Sequence, residues 1–296
     1  MIKGITKKKY AAFSIDVEAF SDTGCISRLD GGAGDWDDML DGLDRYMDML
    51  DAHGIRATMF ALASTVQSDG VAERLRRYIS RGHCVALHGL RHTALDAMDV
   101  RRFREETALA KEILEKELGI TVRGYRAPFF SLDNEKLEIL RELGFCYDSS
   151  RMEYTGAKHN GRLDVSDFDE VMHGVFRKDG FLEFGVTCEK LFGFTVPISG
   201  GGYIRLCGPG WGAVRSMIGH YAKRENCYVF YLHPFEMSDR VPPCPDGLCR
   251  RDRYYLRHGL RSYAAKIEAI IKVLARAGFE FVTFDELSAS LSPAMC

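Results

Sequence analysis

The sequence predicts an α/β fold that is built on a parallel sheet or barrel with helical crossovers. Short apolar segments typical of buried strands alternate with longer segments in which apolar residues recur at helical spacing. This alternation is the signature of parallel strands joined by helices. Several strands also end in polar side chains, at the edge where such sheets place their active sites. With 296 residues, the chain is long enough for one barrel or two smaller domains.

The first half of the chain is predicted to contain four pairs of a strand and a helix. Each predicted helix is followed by a glycine, which commonly ends a helix because it adopts a positive φ angle at little cost. The predicted strands are at residues 10–18, 56–62, 85–87 and 124–129, and the predicted helices are at residues 36–52, 71–81, 100–118 and 133–143.

The second half begins with a predicted strand at residues 146–150 and then changes character. Residues 150–205 contain short apolar pieces broken by Gly, Asp and Pro, which we interpret as a β-rich or irregular insertion. Three glycines precede Tyr203 and Arg205, and they either let the backbone approach a ligand closely or form a mobile turn. The alternation then resumes, with predicted helices at 211–223 and 254–277 and predicted strands at 228–236 and 279–284.

The composition of the chain excludes some classes of protein from the expected functions. The net charge of −2 and the pI of about 6.5 lack the basic excess that phosphate binding usually requires, so we expect no nucleic-acid partner. No run of eighteen apolar residues is present, and the N-terminal lysines precede no long apolar segment, so we expect neither membrane insertion nor a signal peptide. The nine cysteines are odd in number and scattered, which favours reduced thiols and a cytoplasmic protein.

Two patterns that resemble binding motifs are interpreted as connections. The glycine-rich residues 30–34 lack the Gly-Lys-Ser/Thr ending of a phosphate-binding loop. Cys244 and Cys249 are too widely spaced for a zinc knuckle, and no second cysteine pair accompanies them.

Two histidines four residues apart follow the third predicted strand. If the chain makes one helical turn there, His88 and His92 lie on the same face and both can bind one metal ion. The alternative is one buried, hydrogen-bonded histidine and one surface histidine. Asp16 and Glu18 end the first strand and point to the same face, so that one could bind metal while the other takes a proton.

Two more predicted strands end in residues that could act in the same metal site. Arg126 could pair with a carboxylate and hold it ionised, although an ordinary surface charge is the alternative. His233 ends a very apolar strand and could serve as a general acid, although a hydrogen-bonded core histidine is the alternative.

These four motifs, in this order, resemble the polysaccharide deacetylases of the NodB-homology type, carbohydrate esterase family four. The matching residues are Asp16-Val17-Glu18, His88 with His92, Arg126-Ala127-Pro128 and Leu232-His233-Pro234. The resemblance covers nearly the whole chain. It implies a single domain over residues 1–296, a distorted (β/α) barrel of about seven strands, with the irregular insertion at about 150–205.

The resemblance also implies the roles of the site residues. Asp16 is expected to be the catalytic base, oriented by Arg126, and His233 the catalytic acid, while the backbone N–H of Phe129 stabilises the oxyanion. Glu18, His88 and His92 are expected to bind one divalent transition metal ion that activates water. Zinc is favoured, with cobalt, nickel and manganese as alternatives. The family usually has two adjacent aspartates where this chain has Asp-Val-Glu, so Asp16 and Glu18 could exchange roles.

A surface-polysaccharide subgroup shares the glycine run before Tyr203 and Arg205, and the His-Pro-Phe-Glu sequence that ends at Glu236. The expected substrate-binding residues are Asp148, Tyr203, Arg205 and Glu236. The expected reaction is hydrolysis of an N-acetyl group on an amino sugar of a surface-polysaccharide intermediate, nucleotide-linked or lipid-linked, in the cytoplasm. Two alternatives stay open: hydrolysis of a cyclic amide that is not a sugar, and a catalytically inactive relative that binds sugar.

Overall fold

The computed structural model of the protein describes residues 8–29, 39–153, 163–191 and 193–292. In these ranges the strands are β1 (Lys9–Val17), β2 (Thr58–Ala61), β3 (Cys84–Leu87), β4 (Gly124–Tyr125), β5 (Tyr147–Asp148), β6 (Asp169–Met172), β7 (Val175–Lys178), β8 (Phe181–Phe184), β9 (Cys188–Leu191), β10 (Phe194–Pro197), β11 (Cys227–Phe230) and β12 (Phe279–Val282). The α-helices are α1 (Asp41–Ala52), α2 (Ala63–Val66), α3 (Val71–Ile79), α4 (Val100–Leu118), α5 (Asn134–Glu142), α6 (Gly201–Leu206), α7 (Trp211–Arg224), α8 (Arg250–Arg257), α9 (Leu260–Arg276) and α10 (Phe284–Leu291).

A curled, mostly parallel sheet confirms the predicted α/β fold and its distorted-barrel form. Its strand order is β11-β1-β2-β3-β4-β5-β8-β7-β6, and β12 also pairs with β1. The pairs from β11 to β8 are parallel, whereas β8, β7 and β6 form an antiparallel meander. Parallel order brings the carboxyl ends of β1, β3, β4 and β11 to one edge, so the four predicted motifs lie at the same end of the sheet.

Strand β1 is the centre of this sheet. Its first half pairs with β11 and β12, and its second half pairs with β2. Every residue from Ala11 to Val17 is buried, and the apolar side chains of β1 contribute to two core clusters, one with Phe13 and Ile15 and the other with Ala12. The rings of Phe13 and Phe230 stack with their centroids 4.9 Å apart across the β1 and β11 pair. The carboxylates at the end of β1 are therefore carried by the most constrained segment of the sheet.

The elements of the first half agree with the predictions to within a few residues. Helix α4 spans the predicted range, begins at the side chain of Asp99, which accepts a hydrogen bond from Arg102 N, and ends at Gly119 with φ 68°. Helix α1 begins at Asp41, and both the start of its predicted range and the glycine-rich residues 30–34 lie outside the described residues.

The predicted helical turn between His88 and His92 is wrong. The chain after β3 forms a bent loop through residues 88–94, and Gly89 has φ 102°, a conformation that costs glycine little. This loop, and not the periodicity of a helix, sets the distance between the two histidines.

The segment from 150 to 205 is β-rich, as predicted. Strands β6 to β8 extend the main sheet beyond β5, and β9 and β10 form a separate antiparallel hairpin. The glycine run that ends the segment is not a turn, because Gly201 begins helix α6.

The C-terminal part differs from the prediction in three places. The strand predicted at 228–236 is shorter, since β11 ends at Phe230 and Pro234–Glu236 form a single 3₁₀ turn. The predicted helix at 254–277 is two helices, α8 and α9, because Gly259 between them has φ 77°. The predicted strand at 279–284 ends at Val282, because Thr283 begins α10 in a capping box with Glu286. The apolar residues continue across the last two of these places, so periodicity alone did not reveal them.

In the part of the chain that the structure describes, no helix has the length and apolar character needed to cross a membrane. None of the eight cysteines that the structure describes forms a disulfide bond.

Candidate metal centre and active site

Glu18, His88 and His92 converge at the carboxyl edge of the sheet, where Glu18 follows β1 and His88 follows β3. Each of the three side chains offers one ligand atom, and these atoms lie within 4.8 Å of one another. His92 Nε2 lies 2.9 Å and His88 Nε2 lies 3.9 Å from Glu18 Oε2. Two imidazoles and one carboxylate are a donor set that divalent transition metals accept, with positions left open for water and substrate.

The orientation of His88 is set by a backbone carbonyl. His88 Nδ1 lies 2.9 Å from the carbonyl oxygen of Arg126, and a carbonyl can only accept a hydrogen bond. Nδ1 therefore carries the proton, and the lone pair of Nε2 faces Glu18. A histidine that ligates a metal commonly donates its other N–H in this way, which fixes the tautomer and the ring plane.

Two buried polar atoms in this cluster make no hydrogen bond of acceptable geometry with the described residues, although one of them, Glu18 Oε2, lies 2.9 Å from His92 Nε2. They are Glu18 Oε2 and His92 Nδ1. A buried polar group without a partner costs about 1–3 kcal/mol, and more when it is charged. A cation bound by Glu18 would supply the missing partner of its carboxylate, so these residues fit a metal ion.

The electrostatics of the cluster favour ligands that have lost their protons. Burial acts to raise the pKa of Glu18, but the neighbouring imidazoles of His92, His233 and His88 outweigh it and lower the pKa to about 2. Burial lowers the pKa of His88 to about 4. For His92, burial is outweighed by the Glu18 carboxylate, and its pKa is raised. A proton therefore competes with a metal ion for His92 more strongly than it would at an ordinary imidazole.

Arg126 and Asp16 form a buried ion pair beside the cluster. Arg126 Nη1 donates to Asp16 Oδ1 at 2.6 Å and to Ser14 Oγ at 2.9 Å. The same guanidinium donates through Nε to Ser149 O at 3.1 Å and through Nη2 to Ser149 Oγ at 2.9 Å. It lies 3.9 Å from the ring centre of Phe60 and is fully buried. The alternative of an ordinary surface charge is therefore wrong.

Phe129 follows Arg126 in a strained turn. Phe129 has φ 56° and Phe130 has φ 55°, a left-handed conformation that is rare for residues with a side chain. Such strain costs on the order of 1–3 kcal/mol per residue and is found mostly where a site requires it. The Phe129 ring lies 4.3 Å from the His92 ring, centre to centre. The turn thus packs the side chain of Phe129 against His92, one of the three residues of the cluster.

His233 faces the same cluster from the end of β11. Its Nε2 lies 4.0 Å from Glu18 Oε1, and its Nδ1 lies 3.1 Å from Glu236 Oε2. Its side chain is 19% exposed, so His233 is not sealed in the core. Burial acts to lower its pKa, but the carboxylates of Glu18 and Glu236 outweigh it and raise the pKa to about 9. In the metal-free protein His233 therefore holds a proton at neutral pH.

Three of the four residues expected to bind substrate are buried away from solvent. Arg205 and Asp148 are fully buried, and Glu236 is 1% exposed. Asp148 accepts hydrogen bonds from Ser150 N and Oγ, both at 2.8 Å, and Arg205 pairs with Glu236. These three side chains therefore pack inside the protein in this structure, and their contact with a substrate stays a prediction. Tyr203 is partly exposed on α6.

The sequence reading missed three residues of this region. Ser14 lies two residues before Asp16 on the same face of β1, which is a signal that the sequence contained. Ser149 holds Arg126 from the strand next to β4, and Glu183 lies beside Asp148 in the β5 and β8 pair. Neither of these two contacts has a local signal, because each depends on the order of strands in the sheet.

Two family models match the chain. Residues 35–147 match the polysaccharide deacetylase model, and residues 150–289 match a domain of unknown function, DUF3473. No curated protein matches the chain.

Solved structures with the same fold have different activities. An allantoinase matches with a TM-score of 0.58, 14% identity and coverage of 96% of this chain and 90% of its own. A carbohydrate esterase family 4 pseudoenzyme from Bacillus anthracis matches with a TM-score of 0.51, 13% identity and coverage of 95% and 66%. A family 4 acetyl xylan esterase from Clostridium thermocellum, solved with a cobalt ion, matches with a TM-score of 0.50, 16% identity and coverage of 96% and 91%. At these identities the likeness shows the shared fold.

Proposed function

Because this chain carries a polysaccharide deacetylase domain, we propose that it is a metal-dependent hydrolase that removes an N-acetyl group from an amino sugar. The observation that carries the proposal is the convergence of Glu18, His88 and His92 beside the buried Asp16 and Arg126 pair. The first three residues would hold the ion, and the pair would supply the base. A bound divalent metal would polarise the acetyl carbonyl and make water a better nucleophile at neutral pH.

The geometry favours one assignment of the two roles, metal ligand and base, to the two carboxylates at the end of β1. Glu18 lies with both histidines, whereas Asp16 is held by Arg126 at 2.6 Å. We therefore assign metal binding to Glu18 and the role of base to Asp16. Asp16 takes a proton from the attacking water while Arg126 holds its carboxylate in place.

The leaving amine requires a proton, and the developing oxyanion requires a donor. His233 is placed to protonate the sugar nitrogen as the C–N bond breaks, which yields acetate and a free amine. The backbone N–H of Phe129, in its strained turn, is assigned to the oxyanion.

We propose a surface-polysaccharide intermediate, nucleotide-linked or lipid-linked, as the substrate, and the cytoplasm as the location. The support for the substrate is the resemblance at the glycine run and at Glu236. The support for the location is that eight described cysteines, several of them at core strands, form no disulfide bond. Cell fractionation that finds the protein only outside the cytoplasm would contradict the location.

The test is acetate release from N-acetylated amino-sugar oligomers and nucleotide sugars by the purified protein, loaded in turn with zinc, cobalt, nickel or manganese. We expect metal-dependent acetate release that is lost in His88→Ala and His92→Ala. The matched control is His53→Ala, since His53 is exposed after the end of α1 and lies outside the site. Full activity of His92→Ala would contradict the assignment of the ligands.

The allantoinase likeness makes a cyclic amide the second candidate substrate. The same base, acid and metal could open a ring, with no acetate formed. Ring opening of allantoin and related ureides, without acetate release from any sugar, would favour this candidate. Metal binding without turnover of either class, together with binding of the sugars, would favour an inactive sugar-binding protein.

A further inference from the structure

Arg205 lies two contacts away from the proposed acid, inside the segment that matches the domain of unknown function. Its Nε donates a hydrogen bond to Glu236 Oε1 at 2.8 Å, and both side chains are fully buried. The guanidinium also lies 5.0 Å from the ring centre of Tyr255 and 5.6 Å from that of Phe235. The ion pair is short, and both of its side chains are closed to solvent.

The other oxygen of Glu236 holds His233. Glu236 Oε2 lies 3.1 Å from His233 Nδ1 and accepts a hydrogen bond from His233 N at 3.1 Å. A carboxylate at this position keeps the proton on Nδ1 and directs Nε2 toward Glu18. The ring plane of His233 is therefore determined by Glu236 and by its own backbone.

The break between α8 and α9 supports Arg205. Arg205 Nη1 donates a hydrogen bond to the carbonyl oxygen of His258. This carbonyl follows the last residue of α8, so it accepts no hydrogen bond within the helix. A Cβ atom at Gly259 would lie 2.3 Å from the Arg205 carbonyl oxygen, so only glycine fits. Lys266 Nζ donates to the same carbonyl oxygen at 2.8 Å. The helix break that the sequence did not predict is thus a binding site for Arg205.

The glycine run before α6 brings Arg205 to this position. A Cβ atom at Gly200 would lie 2.2 Å from the Tyr231 ring, and one at Gly201 would lie 3.6 Å from Glu236 Oε2. Gly201 N donates to Tyr231 O at 2.8 Å. The absence of a side chain at Gly200 therefore lets the backbone pack directly against the Tyr231 ring, whereas Gly201 makes only an ordinary contact with Glu236.

We propose that Arg205 is a positioning residue that acts through Glu236 to hold His233 with its Nε2 toward the leaving amine. The proposal deepens the proposed function and rests on it for the reaction. Without the guanidinium, the buried Glu236 carboxylate loses its countercharge and no longer orients Nδ1. Protonation of the leaving nitrogen as the C–N bond breaks then loses its oriented donor.

The kinetic test uses two substrates that differ in their need for an acid. Hydrolysis of an N-acetyl sugar requires a proton on the leaving amine, whereas 4-nitrophenyl acetate releases a stable phenolate. We expect Glu236→Gln and Arg205→Met to lower kcat for the amide by roughly 10- to 100-fold, within the usual contribution of a general acid. The ester rate should change less than about threefold, and Arg205→Lys should restore part of the amide rate, because these variants act on proton transfer alone.

A double-mutant cycle separates action through Glu236 from an independent role. If Arg205 acts through Glu236, the variant with both changes is no slower on the amide than Glu236→Gln alone. The proposal would be overturned if the amide rate of the double variant fell by the product of the two single losses. It would also be overturned if the single variants lost the amide and ester rates equally, or left the amide rate unchanged. Bound metal and the thermal unfolding midpoint are measured for every variant, so that a collapsed site is recognised.

A second measurement does not depend on activity. In ¹⁵N-labelled zinc-loaded protein, the ring of His233 should show a protonated Nδ1 that exchanges slowly with water, and Arg205→Met should speed this exchange. An unchanged Nδ1 signal in Arg205→Met would overturn the proposal. If the parent protein releases no acetate but the signal changes as expected, the proposed reaction fails while the positioning role stands.

Discussion

Arg126 Nη1 lies 2.6 Å from Asp16 Oδ1, and this pair joins the ends of β4 and β1 in the interior of the protein. The two residues are 110 positions apart in the chain. Arg126 also donates three hydrogen bonds to Ser14 and Ser149, and Ser14 in turn donates to the carbonyl oxygen of Phe230, so the sheet holds the carboxylate beside Glu18 and the two histidines. The pair is therefore part of the fold as well as of the proposed reaction.

Replacing Arg126 with Met should strongly destabilise the protein. The variant leaves the Asp16 carboxylate buried without its countercharge, and breaking such a pair costs about 3–5 kcal/mol in the free energy of unfolding. Arg126→Lys should recover part of the stability, since Lys keeps the charge but cannot reach both serines at once. Urea unfolding measures both.

The control for this prediction is Arg101→Met. Arg101 is 87% exposed on α4, and its loss should change the free energy of unfolding by less than about 0.5 kcal/mol. If Arg126→Met unfolds at the same urea concentration as this control, the ion pair does not support the fold.

Metal binding should stabilise the protein and should weaken as the pH falls. Zinc at a hundred times its Kd adds about 2.7 kcal/mol to the free energy of unfolding. The pKa of His92 is raised in the metal-free site, so below that pKa a proton competes with the metal and affinity decreases. Calorimetry at pH 8 and pH 6, in buffers of different ionisation enthalpy, should show weaker binding at pH 6 with proton release.

His88→Ala should abolish the zinc-dependent rise of the unfolding midpoint, whereas His53→Ala should preserve it. A rise of the same size in His88→Ala would place the ion elsewhere.

Glu183→Gln should stabilise the protein at neutral and alkaline pH. Burial, with the neighbouring Asp148 carboxyl adding to it, raises the pKa of Glu183 well above its ordinary value. The folded state therefore favours protonated Glu183, so its stability is fully present below about pH 4.3, the unfolded pKa of Glu. That stability is lost as the pH rises toward the folded pKa. Gln keeps the acceptor for Arg151 N and adds a donor toward Asp148.

The measurement is the free energy of unfolding in urea from pH 5 to pH 9. The advantage of Glu183→Gln over the parent should grow with pH, whereas Glu170→Gln, at a half-exposed position on β6, should follow the parent. An advantage that is constant across the range would show that Glu183 carries no proton in the folded protein.

Gly42→Ala should disturb the loop that carries His233. A Cβ atom at Gly42 would lie 1.8 Å from the carbonyl oxygen of Pro234, which is backbone and cannot move aside alone. We expect a loss of roughly 1–3 kcal/mol in the free energy of unfolding from this overpacking, and lower activity. The matched variant is Gly219→Ala in α7, which has open space around it and should stabilise by roughly 0.5–1 kcal/mol. Equal stability of the two variants would contradict the close contact between α1 and this loop.

The local pattern of residues was sufficient for the fold class and for selecting residues that converge at the carboxyl edge of the sheet. The period of the apolar residues predicted both ends of α4 correctly. The rule that polar side chains follow buried strands selected Asp16, Glu18, His88, Arg126 and His233. Parallel strand order then brings such ends together, which is why these five residues converge although nothing near them in the chain requires it.

The partners of these residues depended on packing that no local pattern records. Ser149 meets Arg126 because β5 lies next to β4, and Glu183 meets Asp148 because β8 follows β5 in the sheet. Arg205 and Glu236 are of residue types that often contact a substrate. In the folded protein they are buried, they pair with each other, and Glu236 contacts His233. Gly259 interrupts an unbroken helical pattern because the Arg205 carbonyl occupies the space of its side chain. The period of the apolar residues reports which secondary structure each segment prefers by itself. Burial, strand order and close contacts between backbones arise only when segments far apart in the chain pack together.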